Sequence, residues 1–234
     1  MLPVAILAGG LATRLRPTTE TIPKALVDVA GEPFLHRQLG YLREQGIGDV
    51  VLCTGYLGEQ IEAAVGNGAA LGVRVDYSLD GHTLLGTGGA LRRALPLLGD
   101  AFFVLYGDSF LPCDFGAVAR SFEQRAKPAL MTVLRNQDRW DKSNVIYRDG
   151  QVLLYDKQAP QAEMAYIDYG LSVFRATVLA EEPADTAFDL ADVFHRLSVA
   201  GDLAGYEVTE RFYEIGSPEG LQETVDYFSK RSGQ

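Results

Sequence analysis

The chain has 234 residues, 47% of them hydrophobic and 22% charged, and carries a net charge of −10. That is room for one large α/β domain or two closely packed lobes. The acidic balance disfavours nucleic acid or an anionic membrane as a partner, so an anionic substrate would require a local cationic pocket.

Leu2 to Leu7 is a short apolar run that reads as a buried strand. It leads straight into Leu7-Ala8-Gly9-Gly10-Leu11-Ala12-Thr13-Arg14-Leu15-Arg16-Pro17, with Pro23-Lys24 beyond. Glycines let backbone approach a ligand without a Cβ in the way, and successive N–H groups then point at one anion. Arg14, Arg16 and Lys24 would add full charges to oxygens that amides only partly neutralise. The stretch is neither the dinucleotide fingerprint nor a P-loop. By spacing alone it also fits a solvated strand-to-loop turn.

Phe34 to Gln45 has helical spacing of Phe34, Leu35, Leu39 and Leu42, with Pro33 before it and Gly46 after. Val50 to Thr54 and Val73 to Ser78 read as strands, with a helix through Ile61 and Val65 between them. Strands alternating with helices predict a mostly parallel sheet covered on both faces. Leu84 to Leu91 is glycine-rich and opens a helix to Leu95, so Thr87 and Gly88 can present backbone to a flat ligand such as a nucleobase. The strand Phe102 to Tyr106 ends in Gly107-Asp108-Ser109. An acid at the carboxyl end of a parallel strand stands where ligands bind in open α/β sheets, and a triphosphate brings Mg²⁺, which takes carboxylate and phosphate oxygens together.

Past Asp114 the texture changes. Phe115 to Arg125 reads as a helix, Leu130 to Arg135 as a strand, and Asn144 to Tyr155 as a hairpin turning at Asp149-Gly150. Tyr166 to Phe174 is a further strand, Asp189 caps a helix to Ala200, and Leu203 to Val208 is a late strand. Pro218 and Glu219 suit the first turn of a last helix. Trp140, Asp141 and Asn144 are candidates to line a pocket in this half. His36, His82 and His195 are too scattered for a zinc site or a triad, and His36 and His195 are expected on helices near the core. Cys53 and Cys113 lack metal-ligand spacing and read as reduced thiols of a cytoplasmic protein. No window reaches the roughly 18 apolar residues of a membrane span.

Four spaced segments resemble the signature of the sugar-1-phosphate nucleotidyltransferases: Ala8 to Arg16 with Lys24, Leu85 to Leu91, Gly107-Asp108, and Glu214 to Glu219. The likeness runs from Ile6 to about Leu221, and is greatest to short bacterial members acting on heptose, mannose or N-acetylmuramate phosphates. It implies a GT-A-like α/β fold with a Rossmann-like, mostly parallel central sheet, helices on both faces and a smaller mixed or antiparallel sugar-binding lobe. The chain would be a single nucleotidyltransferase domain of two lobes, 1–114 for the nucleotide and 115–234 for the sugar phosphate. The implied partners are a nucleoside triphosphate and a sugar 1-phosphate, with Mg²⁺ as cofactor and a homodimer possible.

The resemblance also implies roles. Leu7, Ala8, Gly9, Gly10, Thr13, Thr87 and Gly88 would hold the nucleotide, with Arg14 on the β- and γ-phosphates and Lys24 between the α-phosphate and the attacking phosphate. Asp108 and Glu214 would bind the metal. Lys157 would steady the sugar phosphate, with Asn144, Asp168 and Gly170 around the sugar. The chain departs from the family pattern in places: Asp168-Tyr169-Gly170 stands where the family usually has Asn-Gly-Gly or similar, which leaves the sugar open, and two further positions differ. Ala12 stands where the family usually has glycine, which is tolerable if φ is negative and strained if it is positive. Glu214 replaces an aspartate, and its oxygens reach about 1.5 Å further. A cytidylyltransferase acting on a non-sugar phosphate or phosphonate, and a non-catalytic nucleotide-sugar sensor, are the alternative readings.

Overall fold

The structure is a computed structural model that describes residues 1–10, 12–81, 83–136, 139–140 and 142–232. Leu11, His82 and Asp141 lie outside the described residues. In chain order the elements are β1 (Val4–Leu7), β2 (Asp28–Val29), β3 (Glu32–Pro33), α1 (Phe34–Glu44), β4 (Asp49–Thr54), α2 (Gly58–Val65) and β5 (Arg74–Leu79). Next come α3 (Gly86–Leu98), β6 (Ala101–Tyr106), β7 (Ser109–Phe110), α4 (Phe115–Arg125), β8 (Ala129–Arg135), β9 (Val145–Arg148), β10 (Gln151–Tyr155) and β11 (Tyr166–Arg175). The chain ends with α5 (Ala176–Ala180), α6 (Leu190–Val199), β12 (Leu203–Val208), β13 (Tyr213–Glu214) and α7 (Pro218–Ser232).

Nine of these strands form one sheet in the order β5-β4-β1-β6-β11-β8-β12-β10-β9. The first four are mutually parallel, as the alternation of strands and helices predicts. Beyond β6 the sheet turns mixed: β11 runs antiparallel to both β6 and β8, and β12 is parallel to β8. The sheet is therefore continuous from the N-terminal half into the C-terminal half, with β11 covering the flank of β6.

Side chains alternate across the strands, so each strand feeds two cores. Val4, Ile6, Val50 and Leu52 pack with Leu35, Leu39, Ile61, Val118 and Phe122 from α1, α2 and α4. Ala5, Val51, Phe102 and Val104 pack on the other face with Leu91, Ala94, Leu179, Val193 and Phe194 from α3, α5 and α6. Strands buried on both faces explain the near-continuous apolar runs in the sequence. A third cluster, including Val29, Phe34, Phe110, Ile215 and Phe228, seats α7 on the β2–β3 pair.

Local signals fix the helix ends. Asp114 caps α4 by accepting from Ala117 N at 2.8 Å, and Asp189 caps α6 by accepting from Ala191 N at 3.0 Å. Asp149 and Gly150, at φ 51° and 83°, make the expected tight turn of the β9–β10 hairpin. Helix α3 runs past Leu95 and through Pro96 to Leu98. His195 departs from expectation: it sits on the outer face of α6 and is exposed, with Nδ1 2.8 Å from Tyr155 O. No helix among the described residues is long and apolar enough to cross a membrane.

Candidate active site

The parallel strands β1 and β6 end side by side, and the segments after their last residues form walls of a cleft of about 250 Å³. Leu7, Ala8, Gly9, Gly10 and Ala12 come from the end of β1 and the loop beyond it, and Tyr106, Gly107 and Asp108 from the end of β6. Leu84, Gly86 and Thr87 come from the start of α3, and Lys24 from the 3-10 turn Lys24–Leu26. Three segments singled out in the sequence thus meet at the carboxyl end of the sheet, where open α/β sheets take ligands.

Close backbone approach explains the glycines. A Cβ on Gly9 would stand 3.1 Å from Gly55 N, and one on Gly107 would stand 2.9 Å from Leu7 O. Ala12 has φ 49° and ψ 41°, the left-handed region in which an L-residue is strained. Its carbonyl accepts from the buried Thr19 hydroxyl at 2.7 Å, which anchors the strained residue.

Asp108 is the charged centre of the cleft. Its Oδ2 lies 2.8 Å from Lys24 Nζ, and its Oδ1 accepts from the Ser109 hydroxyl at 3.1 Å. Glu214 lies opposite Ser109 in the β7–β13 pair, and the Ile215 amide donates to Asp108 O at 2.9 Å. The Glu214 carboxylate turns toward the start of α7, where Oε2 accepts from Gly216 N and Oε1 from the Ser217 hydroxyl at 3.1 Å. Arg14, exposed on the 3-10 turn Thr13–Leu15, brings its guanidinium to the same turn: Nη2 would be 3.3 Å from a Cβ on Gly216. Thr13 stands on the same 3-10 turn and does not line the cleft.

No group of three or more His, Cys, Asp or Glu among the described residues could hold a metal ion unaided. Asp108, which lines the cleft, and Glu214, joined to it through the Ile215 amide, nevertheless supply carboxylate oxygens of the kind Mg²⁺ takes together with phosphate and water oxygens.

Thr87 lines the cleft as expected, and Gly88 is placed differently from expectation. The Thr87 hydroxyl donates to Asp189 Oδ1 and accepts from Leu190 N, both at 2.8 Å, so it ties α3 to α6. Gly88 lies off the cleft, its N–H donating to Phe188 O at 3.0 Å. A Cβ there would collide with the Phe188 ring, so packing is what requires glycine at this position.

The residues expected around the sugar gather beside β11. Asp168 Oδ1 accepts from Gly170 N at 3.0 Å, and Gly170 adopts φ 103°, which favours glycine. Burial pushes the Asp168 carboxyl up, while the Lys157 ammonium and the Gly170 amide pull it back. Lys157 is exposed, its Nζ 5.7 Å from the Tyr155 ring centre. Asn144 is buried and structural: its Oδ1 accepts from Asp168 N and its N donates to Tyr166 O, both at 3.0 Å. Tyr106 links this group to the cleft. Burial raises its phenol well above the ordinary value, and Asp168, Asp189 and Asp108 raise it further. Trp140 packs edge-on to Phe212 beneath the Arg211 guanidinium.

Asp80 and Cys53 also line the cleft and were not singled out in the sequence. Asp80 is buried and accepts from Leu85 N at 3.3 Å; burial raises its carboxyl, against the Leu85 amide and Arg93. Its position, an acid at the end of a strand directly before Gly81, repeats the signal that identified Asp108. Burial, with Asp80 beside it, pushes the Cys53 thiol up to about 12, so this cysteine behaves as an apolar wall.

The nucleotidyl transferase family model matches residues 4–227. N-acetylmuramate alpha-1-phosphate uridylyltransferase of Neisseria meningitidis serogroup B is 44% identical over 113 residues, 48% of this chain and 49% of that protein, so the match spans about half of that relative. D-glycero-alpha-D-manno-heptose 1-phosphate guanylyltransferase of Aneurinibacillus thermoaerophilus is 29% identical over 219 residues, 92% of this chain and 93% of that protein. The crystal structure of HddC from Yersinia pseudotuberculosis, complexed with GMP-PN, superposes with a TM-score of 0.83 at 27% identity, covering 97% of this chain and 100% of that one.

Proposed function

This chain belongs to the nucleotidyl transferase family, and on that footing we propose that it transfers a nucleotidyl group from a nucleoside triphosphate to a sugar 1-phosphate. The products are a nucleoside diphosphate sugar and pyrophosphate. GTP with a mannose- or heptose-type 1-phosphate is the favoured pair, and UTP is the next donor. The observation that carries this reading is the single cleft into which Ala8 to Gly10, Lys24, Thr87 and Asp108 converge.

A phosphate monoester oxygen is already nucleophilic at neutral pH, so positioning and charge stabilisation can supply most of the acceleration. An acceptor phosphate oxygen attacks the α-phosphorus in line; the new P–O bond forms as the bond to the β-phosphate oxygen breaks, and pyrophosphate leaves with that electron pair. Backbone of Leu7 to Gly10 cradles the nucleotide beside Thr13 and Thr87. Lys24 bridges the α-phosphate and the incoming phosphate, and Arg14 attends the leaving pyrophosphate. Asp108, with Glu214, would hold Mg²⁺, which supplies charge neutralisation on the triphosphate. Lys157, Asp168 and Gly170 hold the sugar phosphate, with Asn144 fixing the strand that bears Asp168. Residues 1–114 thus serve mainly the nucleotide and residues 115–234 mainly the acceptor.

The test is pyrophosphate release with Mg²⁺, crossing the common nucleoside triphosphates against a panel of sugar 1-phosphates and non-sugar phosphate esters. Release dependent on one sugar 1-phosphate supports the reading and names both substrates. Release only with a non-sugar ester, or none with any pair, overturns it.

A further inference from the structure

Gln38 is 2% exposed on α1, amid the apolar side chains Leu42, Leu105, Leu111 and Phe115. A buried amide is costly unless its hydrogen bonds are made. Its Nε2 donates to Tyr106 O at 3.0 Å and to Ser109 O at 2.6 Å. Two carbonyl acceptors leave the amide one orientation, because only the NH₂ end carries two donors. The two carbonyls belong to the residues that flank Gly107-Asp108 on either side. Gln38 therefore staples both ends of the turn that presents the Asp108 carboxylate.

Other bonds grip the same turn from different sides: Gly107 N donates to Leu7 O and Ile215 N to Asp108 O, both at 2.9 Å. These fix Gly107 and the main chain of Asp108. The β7–β13 pair holds Ser109 and Phe110 from another side, and the Gln38 amide is a side chain that bridges Tyr106 O to Ser109 O directly. Beside the amide lies a cavity of about 10 Å³, lined in part by Gln38, Tyr41 and Ser109, at the limit of what holds one water. Gln38 Oε1 has no partner among the described residues, so the amide is held in place by its two donor bonds.

We propose that Gln38 is a positioning residue for Asp108, setting where its carboxylate stands relative to Lys24 and to a bound divalent cation. This rests on the reading of Asp108 as a cation ligand. Removing a partner that orients a ligand typically lowers metal affinity or activity by about 10–100-fold.

The experiment compares the full chain with Gln38→Met, which keeps the length and loses both donors, and with Leu39→Val, a core change on the same helix. Mn²⁺ binding is titrated by electron paramagnetic resonance, alongside the Mg²⁺ dependence of pyrophosphate release and thermal melting. In Gln38→Met the Mn²⁺ affinity falls, and the Mg²⁺ for half-maximal turnover rises, each by about tenfold or more, while KM for the nucleotide moves by less than about twofold. Leu39→Val melts earlier without either shift. Unchanged Mn²⁺ affinity and Mg²⁺ requirement in folded Gln38→Met, or equal shifts in Leu39→Val, overturn the inference. If Gln38→Met does not fold, Gln38→Asn, with both donors on a shorter arm, must show the same separation of metal from nucleotide effects. Wild-type protein that neither binds Mn²⁺ nor turns over would overturn the underlying reading of Asp108 instead.

Discussion

Lys24 Nζ lies 2.8 Å from Asp108 Oδ2, joining the opening loop to the end of β6 across 84 residues of sequence. Their side chains are 17% and 31% exposed, so the pair is partly desolvated and each charge holds the other in place. Both groups line the cleft, and under the proposed function a triphosphate with its cation would draw the ammonium to phosphate oxygens while the carboxylate stays put.

Asp108→Ala is therefore expected to abolish turnover with the fold intact. Asp108→Asn, which keeps the shape, should lower kcat by roughly 100-fold or more, the scale on which loss of one preorganised electrostatic group acts. A partly exposed pair contributes about 1 kcal/mol or less to stability, so melting should move by only about 2–4 °C. Pyrophosphate release and a thermal melt on the same sample decide it. Near-normal turnover in Asp108→Ala would remove Asp108 from the mechanism.

Ala12 adopts φ 49° in a loop that lines the cleft. An L-residue there costs roughly 1–2 kcal/mol, while glycine loosens the unfolded chain by about 0.4–1 kcal/mol. Ala12→Gly is thus expected to be neutral or to stabilise by up to about 1.6 kcal/mol, and Ala12→Val to destabilise the protein. Urea midpoints measured in parallel report both. A marked loss of stability in Ala12→Gly would show that the Thr19 anchor sets the loop's energy and that φ at residue 12 does not.

The elements that run on local signals were legible in the sequence. Apolar runs marked β1, β4 and β6, Asp114 and Asp189 marked helix starts, and Asp149-Gly150 marked a hairpin. What depends on pairing across the chain was not. Nothing near Tyr166 says that β11 will lie against β6, which makes one continuous sheet of the two halves. The two-residue pair of Ser109 and Phe110 with Tyr213 and Glu214 is too short to show a period, yet it carries Glu214 to Asp108. Gly88 showed that its backbone needed space but not for what, because Phe188 is distant in sequence. Gln38 falls on the apolar face of a helix, where its polarity is informative only once the carbonyls of Tyr106 and Ser109 are seen beside it.

Asp80 makes stability and pH pull against each other. Burial holds its folded-state value above the unfolded one, so between the two values the native state binds more protons than the unfolded chain. Stability then falls as pH rises through that interval, and the deficit is present above it. Asp80→Asn retains an acceptor for Leu85 N and removes the deficit. The variant should melt higher than wild type at pH 7, with the gain vanishing as pH drops to the ordinary carboxylate value. Because Asp80 lines the cleft, KM for the nucleotide should rise by up to about tenfold, the scale of one charged hydrogen bond. A variant no more stable at pH 7 than at pH 4 would refute the linkage.

The Tyr106 phenol, which lines the cleft, lies in the field of Asp168, Asp189 and Asp108, and the Asp168 carboxyl in that of the Lys157 ammonium. Carboxylates accept hydrogen bonds from sugar hydroxyls but repel a second acid on the sugar. An acceptor whose sugar is uncharged, such as mannose 1-phosphate, should therefore outrun N-acetylmuramate 1-phosphate, whose sugar bears a carboxylate. Asp168→Asn keeps the bond from Gly170 N and loses the charge, so KM for the acceptor with the uncharged sugar should rise by up to about tenfold while KM for the nucleotide stays within about twofold. The acceptor with the carboxylated sugar should gain relative to it. In wild type, lowering pH through the raised Asp168 value protonates the carboxylate, so acceptor KM climbs toward that of the variant, whose own KM should lack this limb. Steady-state kinetics with both acceptors across a pH series test all three effects together. Preference for the carboxylated sugar in wild type, or an equal rise in both KM values in Asp168→Asn, would place the acceptor somewhere other than beside Asp168.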